Sequence, residues 1–239
     1  VSIFYLSPEL IQFPDPNKSE PDGLLAVGGD LSPQRLYAAY RLGIFPWYGE
    51  DMPLLWWSPD PRCVLDLAEL RAPRRLLRSL KGARLRATLD TRFEEVIRAC
   101  AASKRQRGGG GTWILPEMIE AYCAFHEAGF AHSIEIWDEE GVELLGGLYG
   151  VSLGRAFFGE SMFYRRSPAS KVALLSLAGL LKDWGFHFLD CQQTTEHVLT
   201  YGAREIPRRE FLRRLGEALA GPTLRGRWIW PEGRTPGLL

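Results

Sequence analysis

Residues 132–164 form the segment HSIEIWDEEGVELLGGLYGVSLGRAFFGESMFY. It predicts three sequential antiparallel strands, over 132–137, 143–151 and 155–163, joined at Glu139-Glu140-Gly141 and near Gly154. Ser167 and Pro168 then open the longest amphipathic helix, with Val172, Leu175, Ala178 and Leu181 inward and Gly185 closing it. A buried strand over 186–192 follows at once. Upstream, Thr91 and Glu94 have the spacing of a capping box for a helix that buries Phe93, Val96, Ile97, Cys100 and Ala101. Another helix starts at Pro116, turns Ile119, Tyr122 and Phe125 or His126 to one side, and stops at Gly129. Short helices over 195–200 and 207–219 precede an aromatic, loop-like tail from Gly221. Periodicity alone makes this an α+β chain.

The first sixty or so residues differ in character. One helix is clear there: Ser32 can cap it, Pro33 suits its first turn, Leu36, Ala39 and Tyr40 share a face, and Gly43 ends it. Beyond it Phe45, Trp47, Tyr48, Trp56 and Trp57 are interrupted by Pro46, Pro53, Pro59 and Pro61, which predicts loops and short edge strands. This contrast divides the chain into a small N-terminal domain, 1–65, and a larger domain, 66–239. Hydrophobic residues at 46% and charged residues at 24% are those of a globular protein, and no apolar run reaches the ~20 residues of a membrane span. The start Val1-Ser2-Ile3-Phe4-Tyr5-Leu6 does not read as a signal peptide, so the expected compartment is the cytoplasm. Cys63, Cys100, Cys123 and Cys191 are scattered without metal-type spacing, and are expected as buried free thiols, with no metal and no disulfides.

Acidic and basic residues both number 29, so net charge is silent about a polyanionic partner. Their distribution is not. Residues 71–107 hold twelve basic side chains against Asp90, Glu94 and Glu95, a local surplus of nine. Arg74, Arg75, Arg78, Lys81, Lys104 and Arg105 are the candidates within it for contact with a phosphate backbone. A solvated helix surface is the plainer reading of the same run.

Two segments place polar chemistry in apolar, strand-like surroundings: Gly159-Glu160-Ser161-Met162-Phe163 and Asp190-Cys191-Gln192. A carboxylate buried in a strand costs several kcal/mol unless it is paired, so both segments need partners or an open cleft. Asp190 and Gln192, two apart, are expected on one face of their strand. They either serve a substrate or satisfy backbone at the strand end. For Glu160 the alternatives are recognition of a cationic substrate group and a salt bridge to Arg155, Arg165 or Lys171. Ser161 lacks the Gly-x-Ser-x-Gly setting of a nucleophile elbow, and the basic loop 104–111 lacks the Gly-Lys-Ser or Gly-Lys-Thr ending of a P-loop. His126, His132, His187 and His197 have neither catalytic nor metal spacing.

Ordered motifs run along nearly the whole chain: 23–33 (GLLAVGGDLSP), Gly43-Ile44-Phe45-Pro46-Trp47, Trp56-Trp57-Ser58-Pro59, Thr112-Trp113-Ile114, Gly146-Gly147-Leu148-Tyr149-Gly150, Ala169-Ser170-Lys171 and 202–209 (GAREIPRR). With them the chain resembles the leucyl/phenylalanyl-tRNA-protein transferases. The resemblance implies a larger domain with the N-acetyltransferase-like (GNAT-like) core and a mainly antiparallel mixed sheet. It implies transfer of leucine or phenylalanine from leucyl-tRNA or phenylalanyl-tRNA to the α-amine of proteins that begin with Arg or Lys, marking them for N-end-rule degradation. No metal or soluble cofactor is implied. In acetyltransferases of that fold a Gly-rich loop usually holds the coenzyme A pyrophosphate, and here the connection Tyr164-Arg165-Arg166-Ser167-Pro168-Ala169-Ser170 has no glycine. Carried over by motif, Asp190 and Gln192 become the catalytic pair and Glu160 the acceptor-binding anion. Leu148, Phe157, Met162, Leu174, Leu177 and Leu189 become the aminoacyl pocket, with Leu148 where the family often has Met and Leu177 where it has Phe. Trp47, Trp113 and Tyr40 are the candidates for stacking on the unpaired 3' end of tRNA, although Trp113 also suits a plug at a domain seam.

Overall fold

The computed structural model describes residues 3–80, 84–103 and 112–237. In chain order the strands and helices are β1 (Phe4–Leu6), β2 (Leu24–Gly28), α1 (Pro33–Arg41), β3 (Phe45–Pro46), β4 (Leu55–Trp57), β5 (Arg62–Asp66), α2 (Arg74–Leu80), β6 (Arg86–Leu89), α3 (Phe93–Ala102), α4 (Pro116–Glu127), β7 (Ala131–Trp137), β8 (Leu144–Leu153), β9 (Ala156–Tyr164), α5 (Ala169–Asp183), β10 (Phe188–Gln192), α6 (Glu196–Leu199), β11 (Arg204–Ile206) and α7 (Arg208–Leu219). They form a mixed α/β molecule with two sheets, one of four strands ordered β1-β2-β4-β3 and one of seven ordered β11-β5-β10-β9-β8-β7-β6.

The expected meander is β7, β8 and β9, paired antiparallel in sequence. Period-two alternation sorts its side chains. Leu148 and Phe157 enter one apolar cluster with α5, while Tyr149, Val151 and Phe158 enter another with α3 and α4. The crossover through α5 returns the chain as β10, which lies parallel to β9 and antiparallel to β5.

Local chemistry explains the helix ends. The Ser32 hydroxyl accepts the Arg35 N–H at the start of α1. Gly43 turns the chain out of that helix at φ +69°, and an added Cβ there would lie 2.6 Å from the Phe211 ring, so only glycine fits. The capping box expected at α3 does not form. The Thr91 hydroxyl is bonded to Glu135, whose carboxylate accepts the backbone N–H groups of Thr91 and Arg92. Glu94 instead pairs with Arg98 one turn on. A carboxylate from β7 therefore serves the helix N-terminus, where negative charge is favourable.

The division at residue 65 falls inside β5. That strand pairs with β10 and β11 in the larger sheet, so the change of sheet comes between β4 and β5. One apolar cluster also joins Leu25, Leu36, Tyr40, Phe45 and Trp56 of the N-terminal part to Phe93, Tyr122 and Phe158 of the larger part.

Candidate active site

Strands β9 and β10 run paired only through Phe158 and Asp190. Each then carries an irregularity. On β9, Tyr149 pairs with Ser161 and Gly150 with Gly159, which leaves Glu160 as the extra residue. On β10 the register slips between Asp190 and Gln192, and Gln192 takes φ +60°. Bulges re-aim side chains and end pairing, and here they open a gap between two strands at the centre of the sheet. A cavity of about 270 Å³ occupies it, lined by Leu65, Leu148, Met162, Leu174 and Leu189, with Glu160, Ser161 and Cys191 also on its wall. Gln193, Thr195, His197 and Val198, from the turn after β10 and from α6, also line it.

Glu160 is the hub. Its Oε1 accepts from the Tyr40 hydroxyl at 2.7 Å and from Gln192 Nε2 at 2.8 Å, and its Oε2 accepts from the Tyr122 hydroxyl at 3.2 Å. The two tyrosine oxygens are themselves 2.5 Å apart. Burial raises the Glu160 carboxyl to about 7, against the pull of these three donors toward the charged form. Desolvation also holds both phenols well above their ordinary value, so they donate. Of the two readings of Glu160, the salt bridge is not found among the described residues: neither Arg155, Arg165 nor Lys171 pairs with it, Arg155 bonding the Trp184 carbonyl and Arg165 the Leu144 carbonyl.

Asp190 is fully buried on β10, near enough for its charge to add to the upward push of burial on the Glu160 carboxyl. Arg62 grips it with two parallel bonds, Nε to Oδ1 at 2.9 Å and Nη2 to Oδ2 at 2.7 Å. The guanidinium is fixed in turn by the Gly43 carbonyl and sandwiched against the rings of Phe45 and Phe211. Asp190 Oδ1 also accepts the backbone N–H of Gln192 at 2.9 Å. The expected simple alternation of Asp190 and Gln192 is thus broken by the bulge. Asp190 turns toward β5 and Gln192 toward β9, and the two remain linked through that one backbone bond.

The other candidates divide. Leu148, Met162, Leu174 and Leu189 line the cavity, whereas Phe157 and Leu177 are packed in the core and do not line it. Trp47 and Trp113 come together, with Tyr48, Trp57 and Met52, around an open pocket of about 540 Å³ at the small sheet. Tyr40 does not join them, because its ring is buried and its hydroxyl serves Glu160. Arg74, Arg75 and Arg78 are exposed on α2, while Lys81, Lys104 and Arg105 lie outside the described residues. Sequence reading missed Arg62 as the partner of Asp190 and Tyr122 as a second donor to Glu160. The signal for Arg62 was an arginine opening the apolar run Cys63-Val64-Leu65.

Among the described residues no group of His, Cys, Asp and Glu is arranged to hold a metal ion, and no helix is long and apolar enough to cross a membrane. The family model described as leucyl/phenylalanyl-tRNA protein transferase matches residues 64–216, and the model of that family's N-terminal domain matches 29–60. A leucyl/phenylalanyl-tRNA–protein transferase of Anaeromyxobacter sp. (strain Fw109-5) is 58% identical over 97% of each chain. One of Oleidesulfovibrio alaskensis is 54% identical over 97% of this chain and 94% of its own. Among solved structures, L-PGS from Bacillus licheniformis covers 89% of this chain and 68% of its own with 12% identity and a TM-score of 0.38, too low to bear on the fold. With both family models and near-full-length relatives in agreement, the chain belongs to the leucyl/phenylalanyl-tRNA protein transferase family and is an aminoacyltransferase.

Proposed function

We propose that this protein transfers leucine or phenylalanine from the 3' ester of leucyl-tRNA or phenylalanyl-tRNA to the α-amine of proteins beginning with Arg or Lys, in the cytoplasm, and so marks them for N-end-rule degradation. The observation that carries the reading is the gap between β9 and β10, where a mainly apolar cavity of about 270 Å³ has Glu160, held by Gln192, on its wall. The acyl side chain fills the apolar end, against Leu148, Met162, Leu174 and Leu189. The 3'-terminal base stacks at the aromatic pocket of Trp47 and Trp113. The splayed strand pair also supports an N-acetyltransferase-like larger domain.

An aminoacyl ester is already activated, so the site needs to hold the amine against the carbonyl and accept a proton. The amine attacks the ester carbon, the tetrahedral intermediate collapses, and the terminal ribose oxygen leaves with a proton. Glu160, with a carboxyl near neutrality, is suited to receive the amine proton and to face the cationic first residue. Gln192 fixes Glu160 and the incoming amine. Asp190 is a positioning residue: Arg62 neutralises it, it does not line the cavity, and it acts on the site through the Gln192 backbone N–H.

The test is transfer of labelled leucine from charged tRNA to peptides that differ only in the first residue. Label on Arg- and Lys-starting peptides, and not on Ala- or Asp-starting ones, is expected. Equal labelling of all four would remove the acceptor specificity, and labelling of none would remove the substrates proposed.

A further inference from the structure

Two cysteines far apart in the sequence meet at the wall of the cavity. Cys63 lies on β5 and Cys191 on β10, which are neighbouring antiparallel strands. The register slips after Asp190, so that Cys63 is paired with Gln192 and Cys191 is the extra residue beside it. Neighbouring strands lie roughly 4.8 Å apart and a disulfide bridges Cα atoms roughly 4.4–6.8 Å apart, so a cysteine on β5 and one on β10 at this level are within its reach. Both side chains belong to the apolar cluster that α5 covers, and each acts on the ionisation of the other. Their mutual influence lowers the Cys63 thiol below its ordinary value and, with burial, raises that of Cys191. Access is uneven in the other sense. Cys63 is fully buried, whereas Cys191 is part of the cavity wall. Both thiols are free in this structure.

We propose that Cys63 and Cys191 are a reversible oxidation site, at which a hydroperoxide entering the cavity converts the two thiols into a disulfide and switches transfer off. One thiolate attacks the peroxide oxygen, the O–O bond breaks, and a sulfenic acid and one water form. The second thiol attacks the sulfenic sulfur, the S–O bond breaks, and a second water leaves. Two thiols and one hydrogen peroxide thus give one disulfide and two waters, with the peroxide as oxidant. The consequence for activity follows from where Cys191 sits. It separates Asp190, held by Arg62, from Gln192, held on Glu160. A bond from Cys191 to β5 draws on the bulge that orients Gln192, and it also draws a wall of the acyl cavity away.

The bond does not depend on the proposed substrates, whereas its effect on transfer rests on them, so the two are read separately. The fully reduced protein is treated with hydrogen peroxide, free thiols are alkylated, and digested peptides are mapped by mass spectrometry. The expected product is lighter by two hydrogens and carries a cross-link between the peptides of Cys63 and Cys191. Leucine transfer should fall by about tenfold to a hundredfold, as displacement of a positioning group by about 1 Å does, and should return with dithiothreitol. Cys63→Ser should keep its own untreated rate after peroxide, and a Cys100→Ser, Cys123→Ser double variant should still cross-link. The wild-type map decides the matter if Cys63→Ser does not fold. A cross-link involving Cys100 or Cys123, no cross-link at all, loss of transfer that reductant does not reverse, or a cross-linked protein with undiminished transfer would each overturn the proposal.

Discussion

Glu160 concentrates the chemistry of this site in one side chain. Its carboxyl is raised by burial from an ordinary 4.5 to about 7, so the folded protein binds a proton there that the unfolded chain has already lost. Between these two values the folded state binds more protons than the unfolded state, and stability must fall as pH rises. The contribution is complete below about pH 4.5 and gone above about pH 7, and is of the order of 3 kcal/mol. Glu160→Gln cannot ionise. Denaturant unfolding of parent and variant from pH 4 to pH 8, on the order of one-unit steps, should show the difference between them shifting in the variant's favour across this window. A difference independent of pH would mean that Glu160 does not titrate there. Met162 tests the cavity in the same way. It lines the space with an unbranched, adaptable side chain, and Met162→Ala enlarges it by a few methylenes. The ratio of phenylalanyl to leucyl transfer should rise by roughly 1 to 3 kcal/mol in discrimination. If stability drops while the ratio holds, Met162 is packing alone.

At the scale of elements, the site is made by two irregular strands and one buried ion pair. Arg62 on β5 holds Asp190 on β10, and both are essentially inaccessible to water. Arg62→Met leaves an uncompensated buried carboxylate and should cost about 3–5 kcal/mol, whereas adding Asp190→Leu should recover much of that stability. Transfer should stay low in the double variant, because the Gln192 N–H is then without its acceptor and the left-handed turn that aims Gln192 is without its tie. Recovery of transfer along with stability would show that Asp190 only supports the fold. The strands themselves were legible: alternation found β7, β8 and β9, and the polar residues in β9 and β10 marked the cavity. The bulges were not, since an extra residue within Gly159-Glu160-Ser161 leaves no mark on a one-dimensional pattern. Arg62 and Asp190 are 128 residues apart, beyond the reach of any local rule. The capping box at Thr91 and Glu94 misled for a related reason. A carboxylate from β7, Glu135, competed for the same hydroxyl and backbone groups and won. The division at residue 65 lies within β5, a short strand after a proline-rich tract whose hydrogen bonds are to β10 and β11.

Across the whole molecule the formal net charge is zero, so any long-range attraction for tRNA must come from how charges are distributed. The described part of the basic surplus that stands on one helix is Arg74, Arg75 and Arg78. All three are exposed on α2, with no ion pair among the described residues, and Leu76 anchors the helix to the core from its buried side. Such side chains stabilise the fold very little, which frees them for a phosphate backbone. Reversing all three to Glu should therefore leave thermal unfolding nearly unchanged while weakening tRNA binding. The diagnostic quantity is the salt slope. Each phosphate that is no longer neutralised should reduce the dependence of log binding on log salt by about 0.9 for duplex and 0.7 for single strands, or roughly two to three for the set. The weakening should be the same for leucyl, phenylalanyl and uncharged tRNA, since groups that touch only the backbone do not sense the esterified residue. A salt titration that gives parallel lines for parent and variant would make α2 an ordinary solvated surface and would move the tRNA path elsewhere on the protein.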